Sequence, residues 1–231
     1  MYGIEEIKDI IMGPNPVILL KELLEAHPIK SGDTVLDLGC GMGVTSMYLV
    51  TQCKAKVFAA DLWISPTDNK KRFDKAEMSP QDIIPIKAEA HDLPFAEEFF
   101  DGVVCIDAYH YFGTKREYLE SHLLPLVKHG GYILIAVPGL KKDIHEDIPK
   151  EMLLSWTAAD IGTMHDTAFW RDILSCCDSV EIKAIFEGAH LDKCWQDWLS
   201  SGNQYAKEDI PAMEAGASKY MNFVLMVLIK K

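Results

Sequence analysis

Positive charge is scarce in this chain: 23 Lys and Arg face 35 Asp and Glu, for a formal charge of −12. A protein that holds nucleic acid mainly through its phosphates needs a basic surface, so no nucleic-acid partner is expected, while small or neutral ligands remain open. Long apolar runs are missing too. Nothing approaches the ~20 apolar residues of a membrane span, and residues 1–10 carry acids where a secretion signal would be apolar. A soluble, cytoplasmic protein is expected. The six cysteines (Cys40, Cys53, Cys105, Cys176, Cys177 and Cys194) form no CxxC pair and have no histidines at ligand spacing, so no metal site is expected. They read as reduced and mostly buried thiols, packing like small apolar groups. Internal repeats and low-complexity segments are absent. What remains is a chain of 231 residues, long enough for one large α/β domain with a substantial core.

Residues 34–61 organise that chain. An apolar run, Thr34-Val-Leu-Asp37-Leu, ends in a glycine-rich turn with Gly39, Gly41 and Gly43; a helical segment follows, and then a second apolar run, Lys56-Val-Phe-Ala-Ala-Asp61. This is the pattern of a nucleotide-binding βαβ unit. Asp61, at the tip of the second strand, suits a ribose diol. The dinucleotide version of the motif needs glycine or alanine at position 44, where this chain has Val44. It would also set a diphosphate against Asp37, carboxylate facing phosphate. A ligand with an ammonium and a sulfonium but no phosphate, S-adenosylmethionine, turns that repulsion into attraction.

Val35-Leu-Asp-Leu-Gly-Cys-Gly-Met-Gly43 with Asp61 resembles motifs I and II of the class I S-adenosylmethionine-dependent methyltransferases. The resemblance extends to Ala88-Glu-Ala-His-Asp-Leu-Pro-Phe95, Phe100-Asp-Gly-Val-Val-Cys-Ile-Asp107 and Lys128-His-Gly-Gly-Tyr-Ile-Leu-Ile-Ala-Val137, so that it covers residues 31–138. It implies a three-layer, Rossmann-like α/β fold: a seven-stranded, mainly parallel sheet flanked by helices, with the last strand antiparallel. Residues 31–231 then form a single domain with substrate-facing insertions at 139–178 and 187–220. Residues 1–30 supply two helices, over 4–12 and 16–26, the second capped by Asn15. They either close over the cofactor as a lid hinged at Gly13-Pro14-Asn15-Pro16 or simply pack on the sheet. A helix over 118–128 is expected to lead through His129-Gly130-Gly131 into a fifth strand at 132–137.

By the same resemblance the cofactor contacts are Asp37, the loop residues Gly39, Cys40, Gly41 and Gly43, Asp61 on the ribose, and Leu62 on an adenine face. Glu89 and the Ala90 amide are assigned to the adenine edge, with Glu where Asp is more usual. His91 and Asp107 are counted with this set, His91 as part of the turn rather than of catalysis. Residues 107–112, Asp107-Ala-Tyr109-His110-Tyr111-Phe112, should face the transferable methyl group. His110 is the candidate general base, with Tyr109 beside it. In the competing reading His110 orients the loop beneath the substrate, and Tyr109 and Tyr111 form a wall. Trp63 is a candidate for the substrate side, whereas residues 68–77 read as a solvated helix face. Trp195 and Trp198 share one helix face and either line a pocket or lie in the core. The pair His165-Asp166 lacks a third ligand.

The Asp-Leu-Pro-Phe and Asp-Ala-Tyr-His segments look like the methyltransferase type 11 branch that acts on quinones, amines, sterols and similar metabolites. The expected function is methyl transfer to a nitrogen, oxygen or carbon of a small molecule. The alternative is a non-catalytic S-adenosylmethionine-binding sensor or partner subunit, and a dehydrogenase comes third. The residues point to no particular oligomeric state.

Overall fold

The computed structural model describes residues 2–231. Fifteen labelled elements follow one another: α1 (Ile4–Ile7), α2 (Pro16–Ala26), β1 (Thr34–Leu38), α3 (Val44–Tyr48), β2 (Lys56–Asp61), α4 (Pro66–Lys75), β3 (Ile83–Lys87), β4 (Phe100–Ile106), β5 (Val127–Leu140), α5 (Ala158–Ile161), α6 (Thr167–Leu174), β6 (Val180–Glu187), α7 (Leu191–Leu199), α8 (Gln204–Glu214) and β7 (Met221–Lys230). The strands form one seven-stranded sheet in the order β3-β2-β1-β4-β5-β7-β6. Strands β1 to β5 pair in parallel, and β7 is antiparallel to both β5 and β6. The expected fold class is the one observed.

Parallel strands carry helices on both faces and therefore read as continuous apolar runs. Accordingly the sheet separates two apolar clusters. One contains Val35, Val57, Leu134 and Phe223 under α2, α3 and α7; the other contains Leu36, Val103, Ile135 and Met226 against Tyr109, Tyr118 and Trp170. The order of the strands reverses between β1 and β4, and such a switch point opens a crevice at the carboxyl ends of the strands.

Three local expectations need correction. Where one helix was expected over 4–12, only Ile4–Ile7 is helical. Isolated helices this short are marginal in water, and Gly13-Pro14 obliges the chain to extend as it approaches them. Ile7 and Ile11 are buried all the same. The helix expected over 118–128 is a π turn (Leu119–Leu123) followed by a 3₁₀ turn (Leu124–Leu126), since Pro125 has no amide hydrogen with which to continue it. The fifth strand starts at Val127, earlier than expected, so His129-Gly130-Gly131 lie within it, beside a register irregularity between Phe100 and Gly102.

The second N-terminal helix is built as its sequence suggests: Pro16 occupies its first turn, and the Asn15 side chain accepts from the amides of Val17 and Ile18 at 3.0 and 3.4 Å. The β5–β6 connection holds α5 and α6, and the β6–β7 connection holds α7 and α8. Trp195 and Trp198 are both buried in the core cluster. Asp209 of α8 ties this region together by accepting from Trp156 Nε1 at 2.9 Å and from Trp198 Nε1 at 2.7 Å. Among the described residues no helix is long and apolar enough to cross a membrane.

Candidate functional site

A cavity of about 310 Å³ opens at the carboxyl ends of β1, β2 and β4. Its floor is the glycine turn. Gly39 and Gly43 have φ of +75° and +84°, conformations that side chains rarely adopt. A Cβ on Gly39 would overlap Ala108, and one on Gly43 would overlap the Phe73 ring. The turn is held by the amides of Gly39 and Cys40, which donate to the Ala60 carbonyl at 2.9 and 3.1 Å. Val44 is buried at the start of α3.

Two carboxylates lie behind and beside this turn. Asp37 is wholly buried; one of its oxygens accepts from Thr45 Oγ1 at 2.6 Å and Ser46 Oγ at 2.5 Å, while Oδ1 has no partner. Burial drives its pKa up to about 6, against the pull of the two hydroxyls. Asp61 accepts three backbone amides, those of Gly41, Trp63 and Ile64, each at 2.8 Å. A carboxylate offers about four acceptor positions, which leaves one free toward the cavity.

The far wall comes from the turn after β3. Glu89 accepts from the His91 amide at 3.0 Å and pairs with its Nδ1 at 2.8 Å, a contact that holds the Glu89 carboxyl below its usual range. Ala90 is buried, with its carbonyl bonded to Tyr118 OH at 3.0 Å. Leu62 and Trp63 stand exposed at the rim, and Trp63 meets Tyr111 edge to face at 5.8 Å.

Strand β4 delivers Asp107 to the cavity, but not the two residues expected to catalyse. Asp107 takes φ of +59°, and this left-handed step turns the following residues inward. Tyr109 lies fully buried in the core against Phe112, Tyr118 and Trp170, outside the cavity wall. His110 is also buried and does not line the cavity; its Nδ1 has no partner among the described residues, and burial pushes its pKa down to about 3. Its ring lies 3.9 Å from that of Tyr111, which does line the cavity. The wall that faces outward is therefore Tyr111 and Phe112.

The roof was only partly legible. Ile10, Ile11, Met12, Gly13, Pro14 and Pro16 all line the cavity. Gly13 lies so close to Asp107 Oδ2 that a Cβ there would overlap it. Asn15 pins the roof: its amide donates to the Cys194 carbonyl at 3.1 Å and its Nδ2 to Asp197 at 2.7 Å, and Asn203 Nδ2 reaches the Ile11 carbonyl at 3.3 Å. The Gly-Pro pair signals a turn; nothing in it signals contact with Asp107. Two further residues singled out in the sequence lie elsewhere. Asp166 caps α6 by accepting from the Phe169 amide, and His165 stacks on Phe169 at 3.5 Å.

Three carboxylates, Asp61, Glu89 and Asp107, face the cavity, and no lysine or arginine lines it. Such a wall repels phosphates and attracts cations.

A sheet of this order, with a glycine turn at its switch point and an acid ending β2, has the Rossmann-like architecture of the class I S-adenosylmethionine-dependent methyltransferases, and residues 35–131 match the family model described as a methyltransferase domain. That match covers less than half of the chain. It is 31% identical over 51% of its length to the erythromycin 3''-O-methyltransferase of Saccharopolyspora erythraea, of which the match covers 38%, and 32% identical over 58% of its length to the tRNA (carboxymethyluridine(34)-5-O)-methyltransferase of Arabidopsis thaliana, of which it covers 29%. The chain thus spans about a third of the length of these curated relatives. Among solved structures, the phosphoethanolamine N-methyltransferase 2 of Haemonchus contortus with bound S-adenosyl-L-methionine superposes with a TM-score of 0.73 at 16% identity, over 96% of this chain and 54% of that one.

Proposed function

We propose that the protein transfers a methyl group from S-adenosylmethionine to a small-molecule acceptor. The observation that supports this most directly is the acidic cavity over the glycine turn, lined by three carboxylates and by no lysine or arginine. A dinucleotide would bring its diphosphate against these carboxylates.

The residues suit that donor. Asp37 is buried behind the glycine turn and does not line the cavity, so its charge would favour a cationic donor across the turn and not by contact. The free lone pair of Asp61 suits a ribose hydroxyl, Leu62 an adenine face, and Glu89 with Ala90 the adenine edge. When bound, S-adenosylmethionine supplies a methyl group on a positively charged sulfur. What the chain adds is alignment and a dry site. The roof from Ile10 to Pro16 excludes water and acts as a lid, anchored through Asn15 to α7. Trp63, Tyr111 and Phe112 flank the acceptor. His110 and Tyr109 serve from behind this wall: His110 is buried and neutral at physiological pH, and it sets the Tyr111 ring rather than taking a proton. An RNA acceptor is disfavoured by the charge of −12.

Differential melting and calorimetry with S-adenosylmethionine, S-adenosylhomocysteine and NAD test the donor, because a ligand that binds only the native state raises its stability. Stabilisation by the sulfur nucleosides and not by NAD is expected; the reverse would overturn the proposal. Methyl-labelled donor with pooled metabolites then separates an enzyme from a sensor, which would bind the donor and transfer no label.

A further inference from the structure

Asp107 is the group in the cavity that the donor leaves unexplained. Its left-handed backbone, φ +59° in a residue other than glycine, is a conformation that the surrounding structure must impose. Its amide is fixed to the Ala136 carbonyl at 2.8 Å, and Gly13 of the roof has no side chain that would block its carboxylate. Among the described residues that carboxylate makes no hydrogen bond or ion pair. The titratable groups that face it are Asp209 on α8, Tyr111 on its own loop, Cys105 on β4 and Cys194 on α7. None of them is a cation. A half-buried carboxylate that opens only into the cavity and has no partner there is a place for a positive group. At the mouth beside it stand Trp63 and Tyr111, 72% and 60% exposed, whose ring faces attract ammonium groups.

We propose that the methyl acceptor is an amine whose remainder is apolar and uncharged, and that Asp107 binds its ammonium and takes the proton that the nitrogen must lose. This rests on the methyl-transfer reading above and names its substrate class. The amine enters as R–NH₃⁺ and gives one proton to the Asp107 carboxylate. The freed nitrogen lone pair forms the new N–C bond to the methyl carbon while the C–S bond breaks, its electron pair staying on sulfur. The sulfonium becomes a neutral thioether, and the product leaves as R–NH₂⁺–CH₃. Burial, with Asp209 nearby, lifts the Asp107 pKa to about 7, which makes it a stronger proton acceptor than an exposed carboxylate. Acceptors that carry a carboxylate or phosphate are excluded on the same ground, since no lysine or arginine lines the cavity to receive them.

The test uses the full chain with methyl-labelled S-adenosylmethionine and six probes: 2-phenylethylamine, tryptamine, 4-methylphenol, phenylacetate, glycine and phosphoethanolamine. Label is expected in the first two alone. Asp107→Asn should lower kcat for 2-phenylethylamine by 100-fold or more and change the Kd for S-adenosylmethionine less than threefold. Calorimetry on the unaltered protein with S-adenosylhomocysteine gives a second measurement that needs no variant: 2-phenylethylamine should bind at least tenfold more tightly than its uncharged counterpart 2-phenylethanol. Label in the phenol, the acids or phosphoethanolamine but not the amines, label in none of the six, equal affinity for amine and alcohol, or full turnover by the Asn variant would each overturn the amine assignment. So would an Asn variant that loses S-adenosylmethionine itself, which would return Asp107 to the donor site. Failure of the unaltered protein to bind S-adenosylmethionine would overturn the methyl-transfer reading along with it.

Discussion

Replacing Asp37 with asparagine should make the ligand-free protein more stable while spoiling its site. The carboxyl is fully buried and its pKa stands at about 6 against an ordinary 3.8, so the unfolded chain loses this proton more readily than the folded one. The sign follows: whatever stability the group lends is complete below pH 3.8 and is lost as the pH rises through 6. At 1.36 kcal/mol per pH unit the cost at pH 8 is about 3 kcal/mol, of which about 1.4 kcal/mol builds up between pH 5 and pH 8. Asparagine is nearly isosteric and carries no charge. Its carbonyl can keep both hydroxyl bonds from Thr45 and Ser46, which converge on one oxygen, while its amide takes the buried place where Oδ1 has no partner and goes unsatisfied at about 1 kcal/mol. The net gain at pH 8 is then about 2 kcal/mol, or about 4–8 °C in Tm for a chain of this size. The gain should shrink as the pH falls to 5, while the Kd for S-adenosylmethionine rises at least tenfold at pH 8. Paired thermal melts at the two pH values and titration calorimetry provide the readout. A variant that melts below the wild type at pH 8, with its affinity for S-adenosylmethionine intact, would refute the claim that Asp37 is a strained charge awaiting a cation.

Other expectations follow from the same cavity. From pH 5 to pH 8 the raised Asp37 and Asp107 cost the folded protein stability while the depressed His110 and His165, which must stay neutral, return it, and a saturating cationic donor, which offsets only the aspartates, should make stability rise more steeply with pH; melts with and without S-adenosylmethionine decide it, a slope unchanged by ligand being the adverse result. Gly43→Ala forces a side chain at φ +84° into the Phe73 ring and should cost about 2 kcal/mol, seen as a drop of about 4–8 °C by circular dichroism. Asn15→Ala removes the cap of α2 and the 2.7 Å bond to Asp197, together worth about 1–3 kcal/mol. If the roof is a lid, the same change should speed release of S-adenosylmethionine in stopped-flow measurements; an unchanged release rate would leave Asn15 a helix cap and nothing more.

Why the glycine turn and its flanking carboxylates were legible and the roof was not comes down to where each is encoded. Asp37, Gly39, Gly41, Gly43 and Asp61 lie on two adjacent parallel strands and the turn between them, paired in register from Thr34 with Lys56 to Leu38 with Ala60. Local spacing fixes such a unit, because strand period and turn chemistry both act over a few residues. Ile10 to Pro16 reach the cavity only through tertiary contacts, with Asn15 bonded to Asp197, 182 residues away. No pattern of local period records that. Helical spacing at Ile4, Ile7, Ile10 and Ile11 marked the side of the chain that turns inward, with Ile7 and Ile11 buried, and missed that the helix gives way to hydrogen-bonded turns after Ile7.

The same limit explains the misplaced catalytic pair. From strand alternation alone, residues 107–112 present an ordinary run beyond β4, in which the imidazole of His110 is the obvious proton acceptor. One backbone angle reverses that. With Asp107 at φ +59° the chain leaves the strand by a left-handed step, a conformation that aspartate adopts more readily than most side chains but that strand alternation does not signal. Tyr109 and His110 rotate into the core, their polar atoms Oη and Nδ1 left without partners, while Tyr111 and Asp107 face the cavity. Two orphaned polar atoms and one unfavourable φ within four residues are costs that a merely structural loop would shed. They persist here where they turn a carboxylate without a hydrogen-bond partner into a cavity that no lysine or arginine lines, so the search for the proton acceptor belongs at Asp107 and not at the histidine three residues on.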